Sequence, residues 1–64
     1  MEPSDEQYLI INALDTLGLL NYQLYDRDTG NWYIETPSTN LSRSVITPTG
    51  EIYPTEWVQY YDTN

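Results

Sequence analysis

Apolar positions recur with a helical period in the first third of the chain and predict one amphipathic helix over residues 5–17. Ser4 followed by Gln7 fits a capping box at its start, and Gly18 suits the left-handed residue of a Schellman ending. The stripe expected to face the core contains Ile10, Ala13, Leu14 and Leu17. Tyr8 and Ile11 fall near the polar side of the same projection. This pair is therefore a second candidate interface, for a partner or for self-association.

Residues 20–36 predict a β-hairpin, because the segment 27–30 (Arg-Asp-Thr-Gly) has the composition of a type I turn followed by a left-handed glycine. A three-residue loop with a G1 bulge would pair Tyr25 with Tyr33. Alternation along the strands then separates two faces. The expected core face carries Tyr22, Leu24, Trp32 and Ile34, and the opposite face carries Gln23, Tyr25, Tyr33 and Glu35.

Residues 37–42 are expected to form a loop, and residues 43–54 a second hairpin around the turn at 47–50 (Thr-Pro-Thr-Gly). This turn would pair Ile46 with Ile52, both facing inward. Val45 would pair with Tyr53, and both would face outward together with Thr47 and Glu51.

The C-terminal segment 55–62 fits either a short helical turn or a strand, and its spacing of aromatic residues favours the turn slightly. We expect one small α+β domain spanning residues 1–64. Its N-terminal helix would pack on a small antiparallel sheet of two β-hairpins, followed by the short C-terminal helical turn.

Charge narrows the possible partners. The chain has ten acidic residues, two arginines and no lysine, for a net charge of −8. It should repel nucleic acid and anionic membranes and attract a protein with a basic surface. Histidine and cysteine are absent, and no motif for catalysis, a cofactor or a metal is present. We expect no enzymatic activity, catalytic residue, cofactor or metal, and a cytoplasmic location.

The candidate partner-binding surface combines tyrosines with carboxylates on the face away from the helix. Its residues are Tyr25, Asp28, Tyr33, Glu35, Glu51 and Tyr53. Tyrosine is enriched among residues that anchor protein interfaces. Two other interpretations stay open at this point. The C-terminal segment could fold over this face, or the tyrosines could be ordinary exposed strand residues.

In composition the chain resembles the small acidic proteins that phages and other mobile elements use against host defence or repair enzymes. That resemblance implies an inhibitor that mimics nucleic acid and blocks a basic, nucleic-acid-binding surface, in the host cytoplasm if the protein is viral. The alternative is a structural or assembly module, such as a subunit of a larger complex or a homodimer, which uses an open sheet edge.

Overall fold

The computed structural model describes residues 1–38 and 42–55. In that part of the chain, the elements are α1 (Asp5–Thr16), β1 (Tyr22–Tyr25), β2 (Trp32–Glu35), β3 (Arg43–Ile46) and β4 (Ile52–Pro54). The strands form one antiparallel sheet in the order β1-β2-β3-β4, and α1 packs on one of its faces. The predicted α+β fold is therefore confirmed. The predicted C-terminal turn beyond Thr55, and the middle of the 37–42 loop, lie outside the described residues.

Both ends of α1 follow the local signals in the sequence. The Gln7 N–H donates to Ser4 Oγ (3.2 Å), and the Ser4 N–H donates to Gln7 Oε1 (3.0 Å), which completes the capping box. Gly18 has a φ of +71°, and the Leu19 N–H donates to the Leu14 carbonyl (2.9 Å). The Gly18 N–H also donates to the Asp15 carbonyl (3.0 Å), and the two bonds together form the Schellman ending.

The helix is rotated about its axis relative to the prediction. Ile11, expected near the polar side, is buried at 6% exposure, whereas Leu17, expected in the core, is 69% exposed and Ala13 is also exposed. The observed core side includes Gln7, Ile11 and Leu14, whose mean direction is about 80° from the predicted stripe at 100° per residue. The rotation follows from Gln7, whose amide must face the sheet to reach its hydrogen-bond partners.

The first hairpin has a different register from the predicted one. Tyr25 pairs with Trp32, and Leu24 pairs with Tyr33. Because side chains alternate along a strand, this shift of one position exchanges the two faces of β1. Trp32 is buried on the helix side as predicted, but Leu24 and Tyr22, predicted in the core, are 55% and 50% exposed on the opposite side.

Hydrogen bonds made by Asp26 explain the shift. Its Oδ1 accepts from the Asp28 N–H (2.9 Å), and its carbonyl accepts from the Gly30 N–H (2.8 Å). The Asp26 N–H donates to the Asn31 carbonyl (2.8 Å). Together these bonds close a loop over 27–30, one residue longer than predicted, with Gly30 in the expected left-handed conformation. The Asx turn at Asp26 starts the loop one residue early.

The second hairpin has the predicted register. Ile46 pairs with Ile52 and Val45 with Tyr53. The Thr47 N–H donates to the Glu51 carbonyl (2.8 Å), which closes the turn. The burial differs from the prediction at two positions: Val45, expected to face outward, is 3% exposed, and Ile52, expected to face inward, is 39% exposed at the sheet edge.

Candidate protein-binding surface

The sheet face away from α1, here called the outer face, carries a continuous row of side chains across all four strands. The row consists of Leu24, Tyr33, Val45 and Tyr53, and next to it lie Tyr22, Glu35 and Arg43. Val45 is 3% exposed although it is not part of the buried cluster beneath the helix. Its cross-strand partners are Tyr33 and Tyr53, of which Tyr53 is 44% exposed. Two of the predicted binding tyrosines therefore flank one buried valine.

Tyr25 is not on this face, which corrects the prediction. It packs against the core, with its ring centroid 5.5 Å from that of Trp32 at an interplanar angle of 62°. Its hydroxyl is buried without a hydrogen-bond partner among the described residues. Burial of the hydroxyl, with smaller contributions from Tyr8 and Glu2, raises the pKa of Tyr25. The register shift of β1 is the physical reason for this placement.

The second candidate interface is also divided by the fold. Ile11 is buried in the core, so it is not available to a partner. Tyr8 is half exposed and makes an edge-to-face contact with Trp32 at a centroid distance of 5.6 Å. The prediction of an exposed pair is therefore wrong for Ile11, because α1 is rotated about its axis so that Ile11 faces the sheet.

Glu35 lies on the outer face as predicted, but its charge is partly compensated. Glu35 pairs with Arg43 across β2 and β3, and Arg43 Nε lies 4.0 Å from Glu35 Oε2. Both side chains are well exposed, so the ion pair contributes little to stability. It nevertheless reduces the negative charge at this end of the outer face.

The carboxylate of Glu51 and the phenol ring of Tyr53 lie close together beside the second turn. Interaction of the Tyr53 hydroxyl with the Glu51 carboxylate, with a smaller contribution from burial, raises the pKa of Tyr53. Thr49 Oγ1 also donates to Glu51 Oε1 (3.2 Å), and the Glu51 N–H donates to Thr47 Oγ1 (3.1 Å). The carboxylate is therefore held in place next to an exposed aromatic ring.

Both hairpin turns lie against the N-terminal end of α1. Gln7 is fully buried, and its Nε2 donates to the carbonyls of Gly30 (2.7 Å) and Ile46 (2.8 Å). Gly50 approaches the same end, since a Cβ added there would lie 3.0 Å from the Glu6 Cβ. Three separate chain segments therefore converge at one end of the domain.

That convergence concentrates negative charge. The acidic end, as we call it, consists of Glu2, Asp5, Glu6, Asp26, Asp28 and Glu51. Within the described ranges, Arg27 is the one basic residue there, and Asp15 and Glu35 are the acids outside it. Hydrogen bonds from the Asp28 backbone and the Thr29 side chain lower the pKa of Asp26. The sequence pattern identified Asp28 and Glu51 but could not show that the helix start joins them.

A half-open cavity of about 410 Å³ adjoins the acidic end. It is lined by Met1, Glu2, Pro3, Tyr8, Tyr25 and Arg27. Over residues 1–38 and 42–55, acidic side chains nowhere form a group that could hold a metal ion. In the same part of the chain, no helix has the length and apolar character needed to cross a membrane.

No protein-family model, curated protein or solved structure matches this chain. The function is therefore argued from the surface itself.

Proposed function

We propose that this protein is a non-enzymatic inhibitor that binds a basic surface of another protein in the cytoplasm. The acidic end supplies the charge, and the adjoining outer-face residues Tyr33, Glu51 and Tyr53 supply the anchors. The partner surface is one that ordinarily binds nucleic acid, as expected for an anti-defence protein of a phage or mobile element. The convergence of six carboxylates around the helix start and both turns is the observation that carries this proposal.

The electrostatic argument depends on spacing. Charges closer together than the Debye length, about 8 Å at physiological salt, act jointly on an approaching partner. Carboxylates gathered at one end therefore create a stronger local potential than the same number spread evenly over the surface. Such a cluster can take the place of backbone phosphates on a basic surface that binds DNA or RNA.

Exposed phenol rings lie beside this charge. The Glu51 carboxylate interacts with Tyr53 and raises its pKa, and Tyr8 lines the cavity next to Glu2. Aromatic rings of this kind provide contact area with little loss of side-chain entropy. Charge would then determine the rate and orientation of association, and the rings would supply much of the affinity.

A pair of matched variants tests the proposal. A partner is first captured from host lysate at low salt, and its affinity for the purified protein is then measured. Asp28→Asn removes a carboxylate from the acidic end, and Asp15→Asn makes the same change outside it. We expect Asp28→Asn to weaken binding by up to about fivefold, since a surface charge contributes up to about 1 kcal/mol, and Asp15→Asn to have a smaller effect. Equal losses for both variants, or an affinity independent of salt, would refute the proposal.

Displacement of nucleic acid tests the mimicry. The captured partner, saturated with labelled DNA or RNA, should release it when this protein is added. A stable ternary complex of partner, nucleic acid and protein would show that the binding site lies elsewhere on the partner.

A further inference from the structure

The two edges of the sheet are built differently. Backbone hydrogen bonds alternate along the second hairpin, starting from the bond between the Thr47 N–H and the Glu51 carbonyl. The backbone of Tyr53 therefore bonds to β3, whereas the backbone groups of Ile52 and Pro54 point away from β3. Proline has no N–H, so the outward edge of β4 lacks one of its two donors. Proline on an edge strand is a common protection against pairing with another chain.

The β1 edge has no such protection. Its residues are Tyr22, Gln23, Leu24 and Tyr25, without proline, glycine or a charged side chain. The bond from the Asp26 N–H to the Asn31 carbonyl indicates that Leu24 bonds to β2. Gln23 and Tyr25 therefore direct their N–H and carbonyl groups outward, where no strand formed by residues 1–38 or 42–55 pairs with β1.

We propose that β1 pairs in antiparallel orientation with β1 of a second copy, which forms one continuous sheet across a homodimer. A two-fold axis perpendicular to the sheet requires paired residues to lie on the same face. One register gives a partner to every backbone N–H and carbonyl that Gln23 and Tyr25 direct away from β2. It pairs Gln23 with Tyr25 of the second copy, and Leu24 with Leu24. The exposed Leu24 side chains then meet on the outer face at the centre of the contact.

The distribution of charge favours a second copy as the occupant of this edge. A basic partner would be attracted to carboxylates, and β1 has none. Each copy carries a net charge of −8, which opposes association in general. Antiparallel pairing, however, places the two acidic ends on opposite sides of the two-fold axis, because each lies beside the turn that follows its own β1. A parallel pairing would instead place the two ends side by side.

The size of the contact sets its strength. One four-residue strand from each copy buries less than the ~1,200 Å² typical of stable interfaces, so the dimer should form only in concentrated solution. Screening by salt should strengthen it, because the copies repel each other. Binding to a basic partner should weaken with salt. The two proposals therefore fail under different observations.

Sedimentation of the full chain tests the dimer, over concentrations up to about 1 mM and at low and high salt. The test variant is Leu24→Lys, which places a charge at the centre of the contact. The matched control is Leu17→Lys, which makes the same change at the exposed leucine that caps the C-terminal end of α1. We expect wild type and the control to dimerise more strongly as salt rises, and Leu24→Lys to weaken dimerisation at least tenfold with an unchanged circular dichroism spectrum. A monomeric wild type at every concentration, or greater loss in the control, would overturn the proposal.

Amide hydrogen exchange of the wild type gives a second readout that needs no variant. The Gln23 and Tyr25 amides should exchange more slowly as protein concentration rises, because pairing covers them. The Ile52 amide on the opposite edge should not change. Exchange at Gln23 and Tyr25 that is independent of concentration would overturn the proposed pairing.

Discussion

Replacing Gln7 with glutamate should destabilise the protein by about 3–5 kcal/mol at neutral pH. Gln7 is fully buried, and its Nε2 donates to two carbonyls at distances of 2.7 and 2.8 Å. Glutamate loses both bonds, because a carboxylate oxygen takes the place of Nε2 and faces both carbonyl acceptors, while its other oxygen can still accept from the Ser4 N–H. An unsatisfied buried acceptor costs about 1–3 kcal/mol, and burial of the charge adds to this. The total approaches the whole stability of about 5 kcal/mol expected for a domain this small.

The loss in Gln7→Glu should depend on pH. Burial beside two carbonyl oxygens favours the neutral carboxyl, so the pKa of the introduced group is higher in the folded than in the unfolded state. The folded state then binds more protons, and stability falls as pH rises. The variant should therefore be most stable below the unfolded pKa of about 4.3 and lose stability as pH rises through the folded pKa.

Urea denaturation followed by far-UV circular dichroism measures both effects. Gln23→Glu is the matched control, because Gln23 is exposed and its Oε1 accepts from Trp32 Nε1 (3.1 Å), a bond that a carboxylate can also accept. The control should change stability by less than about 0.5 kcal/mol. If both variants unfold at the same urea concentration, Gln7 does not bridge the turns and the helix orientation described above is wrong.

Three further predictions follow from individual contacts. Trp32→Ala should cost about 3–5 kcal/mol in thermal or urea denaturation, since Trp32 is buried beneath the helix, and an unchanged melting curve would contradict the β2 face assignment. The lowered pKa of Asp26 means that its charged form stabilises the fold above the unfolded pKa of about 3.9, and this stability is lost as pH falls through the folded pKa. Asp26→Asn should therefore be less stable than wild type at neutral pH, and the difference should vanish in acid; a difference that persists there would contradict the charge-based explanation. Glu51→Gln should lower the pKa of Tyr53 in a titration of phenolate absorbance, and an unchanged titration would show that the two side chains do not interact in solution.

Local signals in the sequence predicted much of the fold. The capping box at Ser4, the glycine ending at Gly18 and the turn before Gly50 each involve neighbours within a few residues, and all three are present in the structure. The register of the first hairpin was wrong because the Asp26 side chain offered an alternative set of turn bonds. The helix orientation was wrong because the partners of Gln7 lie 23 and 39 residues away.

The candidate site was predictable only in part. Alternation correctly placed Tyr33 and Tyr53 on one face, since the second hairpin and β2 were assigned correctly. Tyr25 was placed on the wrong face because its position depended on the misjudged turn. The acidic end could not be derived from spacing, since Gln7 joins the helix start to Gly30 and Ile46, which lie 23 and 39 residues away in the sequence.

The assembly of the acidic end from three stretches of chain makes it a conformational epitope. In the unfolded protein these carboxylates are separated along the chain between residues 2 and 51. A short peptide cut from the sequence would therefore contain only some of them. Short fragments should therefore be poor competitors for whatever recognises the intact domain, and a protease that nicks either turn would erase the recognition feature without removing a single acidic residue.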